Sequence, residues 1–139
     1  MLKIGEVAAK ASVSTDALRY YEHEGLLAPA SKSEGGYRLY TTDVLRRVHF
    51  IKHAQQCGFT LSEIRDLLLI KRDAAACCSD VRALAIEKRL QLEGRIKALR
   101  SMSDALQALV STCVDESESI ESCPILAALE NAIVDPAQR

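Results

Sequence analysis

Apolar residues recur at helical spacing along most of this chain. Positions 4, 7, 8 and 11 are apolar, and the serines of segment 12–14 interrupt the pattern. Ser14 is placed to cap a second helix over 15–24, and Gly25 is placed to end it. Two short helices separated by a short turn predict a helix-turn-helix.

Residues 26–40 are the part of this first region without helical character. The residue types at 33–36 are typical of a turn. Over residues 37–40 the side chains alternate in the way that predicts a short strand. A hairpin that follows a helix-turn-helix is a wing. Two further helices are predicted, one over 43–56 and one from Leu61 to about Arg72, the second opened by a capping box of Thr60 and Glu63.

A longer helical pattern, the rod, covers residues 80–112 without a proline. It follows a linker over 73–79, with Ser79 or Asp80 as its cap. Its length is about 50 Å. Apolar residues follow the spacing of a coiled-coil seam, and Ser103 is the weak position because it is polar. The seam residues are Leu92, Ile96, Leu99, Leu106 and Val110. A single rod cannot bury this stripe, so a second copy of the chain is the simplest partner, and folding back on its own domain is the alternative.

The predicted fold is therefore mainly α and has four parts. Residues 1–72 form a winged helix-turn-helix DNA-binding domain, called the head below. Residues 73–79 are the linker, and 80–112 form the dimerisation coiled-coil helix. Residues 113–139 form a loop and a short C-terminal helix from Ile125 to about Ile133, with a frayed end.

Composition and charge narrow the class of protein. The chain has 139 residues and lacks both a long apolar run and a signal peptide, which predicts a cytoplasmic protein without membrane segments. No nucleophile–base pattern or phosphate-binding glycine loop suggests an enzyme. The head carries 11 Lys and Arg against 8 Asp and Glu, and the remainder carries 7 against 11. The head could therefore face nucleic-acid phosphates.

Candidate DNA contacts lie on the second helix, on the wing and at the start of the third helix. Arginine, lysine and tyrosine side chains commonly bond phosphates, and they could hold a backbone on both sides of a recognition helix. The candidates are Thr15, Arg19, Tyr20, Tyr21, Lys32, Tyr37, Arg38 and Arg46. One of the two adjacent tyrosines is expected to face the core instead.

Four of the five cysteines bracket the rod. Cys77 and Cys78 precede it, Cys113 ends it, and Cys123 closes an acidic loop. Thiols at opposite ends of one straight helix cannot meet, but they can meet when two such helices pair antiparallel. This layout indicates a soft-metal site across a dimer, because thiolates suit Zn²⁺, Cd²⁺, Hg²⁺ and Pb²⁺. The loop adds the carboxylates of Asp115, Glu116, Glu118 and Glu121.

The other two cysteines and the histidines have less specific interpretations. Cys77 is a spare ligand, a redox thiol or a bystander, and oxidation of Cys77 with Cys78 would make the chain a redox sensor instead. Cys57 is expected to be a small buried apolar residue. His49 and His53 are four residues apart, a spacing that can bind metal, but we expect them to face DNA or to be structural.

Several motifs together resemble the MerR family of bacterial transcription regulators. They occur in the family's order and spacing through the whole head. The motifs are residues 4–8 (IGEVA), 18–22 (LRYYE), 25–27 (GLL), 36–40 (GYRLY), 50–52 (FIK), and 58–61 (GFTL) with Ile64.

This resemblance implies a homodimer with an antiparallel coiled coil, bound to a pseudo-palindromic promoter that it distorts for RNA polymerase, so that metal-resistance or efflux genes are activated. It further implies a divalent-metal site built from Cys78 of one protomer with Cys113 and Cys123 of the other. Val114 and Glu118 stand where zinc sensors of the family place a second cysteine and a histidine. One ion per site is therefore expected, with Glu118 as an oxygen ligand, and zinc, cadmium and lead all stay open.

Overall fold

The computed structural model describes residues 1–131; the predicted helix end near Ile133 and the predicted frayed tail lie outside them. Six α-helices and three short strands occur in this part of the chain. The helices are α1 (Ile4–Ala11), α2 (Thr15–His23), α3 (Asp43–Gln56), α4 (Leu61–Arg72), α5 (Cys78–Thr112) and α6 (Pro124–Asn131). The strands are β1 (Leu2–Lys3), β2 (Ser31–Lys32) and β3 (Arg38–Tyr40). The predicted mainly α architecture is confirmed.

The core of the head is formed where α1 to α4 turn their apolar faces toward each other. Val48, Ile51 and Ile64 are 0% exposed. Val48 and Ile51 belong to the apolar stripe of α3, and Ile64 belongs to that of α4. One face of each helix therefore points inward. Leu18 and Leu26 close the core on the side of α2.

Side-chain caps fix where two of these helices begin. The backbone N–H of Ala17 donates to Ser14 Oγ at 3.0 Å at the start of α2. At the start of α4, the Glu63 N–H donates to Thr60 Oγ1, and the Thr60 N–H donates to Glu63 Oε1. This is the predicted capping box, and it explains why α4 begins at the predicted Leu61.

The wing is part of a three-stranded antiparallel sheet in the order β1-β3-β2. Leu2 pairs with Tyr40, and Ser31 pairs with Leu39. Gly36 at the tip has φ +81°, a left-handed conformation that glycine adopts without strain. The sequence predicted the β3 strand and its turn but missed β1, because two residues carry no alternation to detect.

Helix α5 begins two residues earlier than the sequence predicted. The Cys77 N–H donates to Asp80 Oδ2 at 2.9 Å, so Asp80 caps from inside the helix. The linker is therefore shorter than the predicted 73–79, and Cys78 lies in the first helical turn.

The seam residues in the middle of α5 are exposed. Leu99 is 62% exposed and Ile96 is 54% exposed.

The chain divides into two compact units, Met1–Lys88 and Arg89–Arg139. The first unit contains the head and the beginning of α5. The second contains the rest of α5, a 3-10 turn over Ile120–Ser122, and α6. Within residues 1–131, no helix is both long enough and apolar enough to cross a bilayer.

Candidate DNA-binding face and candidate metal ligands

Four cations surround a cleft of about 250 Å³ between the start of the chain, α2 and the wing. They are the side chains of Lys3, Arg19, Lys32 and Arg38. Tyr37 lies beside them and is 65% exposed. Helix α2 and the wing thus present positive charge toward the same space. A phosphate group entering this cleft would meet several donors at once.

Two ion pairs position the arginines of this cleft. Arg38 Nη1 lies 3.0 Å from Glu22 Oε2, which joins the wing to α2. The Glu22 side chain is only 11% exposed, while Arg38 remains about half exposed. Arg19 makes a looser contact of 3.4 Å with Asp16, and both groups are open to solvent. The wing is therefore anchored to α2, and its guanidinium keeps an accessible edge.

The adjacent tyrosines of α2 have different environments. Tyr20 is 53% exposed, and Tyr21 is 6% exposed. The Tyr21 hydroxyl donates to Gln55 Oε1 at 2.7 Å, and burial raises the pKa of Tyr21. The expectation that one of the pair belongs to the core is confirmed. Tyr20 is therefore the more accessible candidate DNA contact of the two, because the Tyr21 hydroxyl is already bonded inside the head.

Lys3 is the cleft residue that sequence reasoning missed. Its Nζ lies 5.6 Å from the centroid of the Tyr37 ring, so strand β1 brings a cation onto the wing. The pairing of β1 with β3 is what places it there. No local pattern in the sequence encodes that pairing.

Arg46 lines a different depression, of about 460 Å³, between α3 and α4. Arg47, Lys71 and Arg72 share it, together with Asp43. The positive charge on this side comes from the start of α3 and the end of α4. Thr15, the remaining candidate, is half-buried in the first turn of α2. The predicted DNA contacts therefore fall into two groups on the head.

The candidate metal ligands are accessible thiols. Cys113 and Cys123 are half-buried, and Cys78 is exposed. Among the side chains of residues 1–131, no three of His, Cys, Asp or Glu come together to hold an ion. A single protomer thus does not assemble the predicted three-thiolate site. As donor chemistry, however, three thiols with a nearby carboxylate fit a soft divalent ion.

The acidic loop after α5 uses one carboxylate for its own turn. Asp115 Oδ1 accepts from the Ser117 hydroxyl at 2.6 Å and from the Ser117 N–H at 3.0 Å. These bonds lower the pKa of Asp115. Glu118 has its backbone N–H bonded to the Asp115 carbonyl, and its side chain is exposed. Glu118 is therefore the more available oxygen donor of the two.

Cys57 does not have the environment that the sequence suggested. It is exposed, whereas a small buried apolar residue was expected. Its backbone ends α3, with the N–H bonded to the carbonyls of His53 and Ala54, and Gly58 follows with φ +90°. A residue at the end of a helix turns away from the core stripe, which leaves the thiol in solvent.

Comparison with known proteins identifies the family. Residues 2–69 match the family described as "MerR HTH family regulatory protein", and residues 45–109 match "MerR, DNA binding". The HTH-type transcriptional regulator ZntR of Escherichia coli K12 is 41% identical over 131 residues, which cover 94% of this chain and 93% of ZntR. The chain belongs to the MerR family. It is a DNA-binding transcription regulator and not an enzyme, as the sequence predicted.

One further relative has a name that mentions metals, and one similar solved structure contains lead(II). The heavy metal-dependent transcription regulator 2 of Rhizobium meliloti is 34% identical, with 94% of this chain and 87% of the relative covered. The structure of PbrR691 from Ralstonia metallidurans CH34 was solved in complex with lead(II). It is 35% identical, with a TM-score of 0.83, and covers 93% of this chain and 99% of that one.

Proposed function

We propose that this MerR regulator is a homodimer that binds promoter DNA and responds to a soft divalent metal ion, zinc, cadmium or lead. The observation that carries the proposal is the spacing of thiols along α5. Cys78 and Cys113 are 35 residues apart, which is five heptads, and both occupy the heptad position of the seam residue Leu99. The names of the metal-dependent relatives support the same effector class.

The exposed seam supports the homodimer. Four of the five seam residues of α5 are exposed in a single chain, including Leu106 at 60% and Val110 at 59%, while Leu92 is half-buried. A helix with such a stripe needs a partner helix, and the same stripe on a second copy is complementary to it. If the two helices run antiparallel about their midpoint, Cys78 of one chain lies opposite Cys113 of the other. Cys123 follows Cys113 by ten residues and completes the thiolate set.

The metal site then has a stated composition. Cys78 comes from one protomer, and Cys113 and Cys123 come from the other, so each dimer holds two sites. Three thiolates satisfy lead, while zinc would take a fourth ligand, for which the Glu118 carboxylate is available. Val114 provides no further donor next to Cys113. One ion per site follows from this donor set.

The response needs no contact between the ion and DNA. The ion has only to stabilise one of two arrangements of the heads relative to the rods. The DNA is then bent and untwisted, and the deformation energy is offset by phosphate contacts from the cleft that contains Arg19 and Arg38. RNA polymerase is the partner that uses the distorted promoter, in the reducing cytoplasm.

A mixing experiment tests the metal site. We expect Cys78→Ser alone to bind no ion at the site, and the Cys113→Ser/Cys123→Ser double variant likewise. Heterodimers formed by mixing the two variants should regain one ion per dimer, because one complete set of three thiols is restored across the interface. Metal bound per dimer is measured after dialysis against Zn²⁺, Cd²⁺ or Pb²⁺, with Cys57→Ser as the control. Mixed dimers without ion would refute ligands shared between chains.

A second experiment tests the DNA face. Arg19→Ala with Arg38→Ala should reduce the slope of log affinity against log salt by about 1.8, because two phosphate contacts are lost. The control is Arg89→Ala with Arg100→Ala, which removes the same charge from α5 outside the head. Promoter binding with an unchanged salt slope in the first variant would exclude the assigned cleft.

A further inference from the structure

Helix α3 carries two histidines on the face that points away from the core. His49 and His53 are both exposed. The buried residues of the same helix are Val44, Val48 and Ile51. At about 100° per residue, the two histidines lie roughly 150° around the helix from that buried stripe. Neither imidazole therefore contributes to packing inside the head.

The second feature of the two imidazole rings is their lack of polar contacts among the described residues. Within residues 1–131, neither side chain takes part in a hydrogen bond or an ion pair. The two rings lie beside each other, with centroids 6.1 Å apart and ring planes inclined by 36°. An expectation that these residues are structural is therefore not supported by their surroundings.

The distance between the rings is close to what one shared ion requires. Two imidazoles bound to a tetrahedral ion through bonds of about 2.1 Å have centroids roughly 5.3 Å apart. The observed separation of 6.1 Å exceeds this by less than an ångström. Residues four apart on a helix are neighbours on its surface, so small side-chain rotations are enough to close the gap.

We propose that His49 and His53 form a second metal site, for a divalent transition ion that accepts imidazole nitrogen, such as Ni²⁺, Cu²⁺ or Zn²⁺. The protein supplies two ligands, and water supplies the others. Cys57 cannot join both rings, because it is eight residues beyond His49, about 12 Å along the helix axis. This site is independent of the thiolate site and uses a different donor atom.

The location of this site links a bound ion to the proposed DNA-binding surface of the head. Arg46 precedes His49 by three residues and so lies on the same face of α3. An ion held there adds two positive charges beside a proposed phosphate contact. Occupancy of the imidazole site would therefore raise the positive potential of this side of the head.

The test uses the full-length chain with all five cysteines replaced by serine, so that thiols do not compete. All five are exposed or half-buried, which limits the effect of the replacements on packing. Titration with Ni²⁺ in a calorimeter should show one ion bound per chain. His49→Ala and His53→Ala should each weaken that binding by at least about tenfold, because the chelate is lost. His23→Ala, which removes the third, exposed histidine on α2, should leave it unchanged.

A register variant separates chelation from a simple count of histidines. His53→Ala combined with Gln56→His keeps three histidines but places the α3 pair seven residues apart, about 10.5 Å along the axis. We expect this variant to bind Ni²⁺ as weakly as His49→Ala, with unchanged helix content by circular dichroism. Binding that persists in His49→Ala, or that falls equally in His23→Ala, would overturn the proposal.

Discussion

The head and the rod differ in how they bury their apolar residues. In the head, Val48 and Ile51 are fully covered by other helices of the same chain. On the rod, Ile96 and Leu99 keep more than half of their surface in solvent. The apolar residues of the head are thus covered within one chain, while the stripe of the rod stays exposed in the described part of the chain. The candidate DNA contacts can be located in one chain, whereas the proposed metal site requires a second.

The largest expected effect is on association of two chains through the rod. Leu99→Lys removes two buried leucines from the proposed dimer, one from each chain, which costs about 4 kcal/mol and weakens association roughly a thousandfold. Leu90→Lys is the matched control, since Leu90 is also 62% exposed but lies off the seam. Analytical ultracentrifugation should show a monomer for the first variant and a dimer for the second. Equal effects of both variants would exclude this seam.

The next largest effect is on the stability of the head. Ile51→Ala leaves a cavity in the core and should lower the free energy of unfolding by about 3 kcal/mol. Leu69→Ala, at a position that is 54% exposed on α4, should lower it by less than about 1 kcal/mol. Urea titrations followed by circular dichroism give both values. A small cost for Ile51→Ala would mean that the core is not where the structure puts it.

A smaller effect on stability is expected from the side-chain cap of α4. Thr60→Ala removes the side-chain cap of α4 and should cost about 1 kcal/mol of unfolding free energy. Thr42 occupies the corresponding position before α3, but its side chain makes no cap hydrogen bond. Thr42→Ala should therefore cost no more than a few tenths of a kcal/mol. The same urea titrations compare the two threonines, and equal costs would contradict the capping geometry.

The last comparison concerns the contact between Glu63 of α4 and Lys88 of α5. Lys88 is 5% exposed, and its Nζ lies 2.8 Å from Glu63 Oε1 and 5.8 Å from the centroid of the Phe59 ring. The hydrogen bond from Lys88, followed by that from the Thr60 backbone, lowers the pKa of Glu63 from 4.5 to about 2. The ionised carboxylate therefore stabilises the folded state above pH 4.5, and this stabilisation is lost as the pH falls toward 2.

Glu63→Gln tests that pH dependence. The variant should be less stable than the parent near neutral pH, and the difference should shrink as the pH falls below 4.5. Glu130→Gln, on α6, is the control and should follow the parent at every pH. Unfolding of the metal-free protein in urea at several pH values measures the difference. A difference that stays constant with pH would show that Glu63 does not act through its charge.

Local signals in the sequence predicted much of the fold. The start of α4 follows from its capping box and the end of α3 from the Gly58 stop, and both depend on neighbouring residues alone. Strand β1 and the burial of Glu22 against Arg38 depend on distant parts of the chain, and local patterns could not reveal them. The earlier start of α5 was missed because Asp80 caps from inside the helix.

The candidate sites were predictable to different degrees. Arg19, Lys32 and Arg38 were selected from residue type and position, and the structure brings them around one cleft. Lys3 was missed because its place depends on strand pairing. The thiolate set remains a prediction, since its ligands are proposed to meet only between chains. Cys57 was misjudged because residue type predicts burial only on average, and a helix end overrides it.

The boundary between the two compact units after Lys88 has a practical consequence for engineering. Cys113, Glu118 and Cys123 belong to the second unit, while Cys78 belongs to the unit that carries the DNA-binding head. The segment 113–123 can therefore be exchanged for other donor sequences without altering any residue of the head. The ion preference of the proposed thiolate site could then be redesigned within this one segment, while the head and Cys78 stay unchanged.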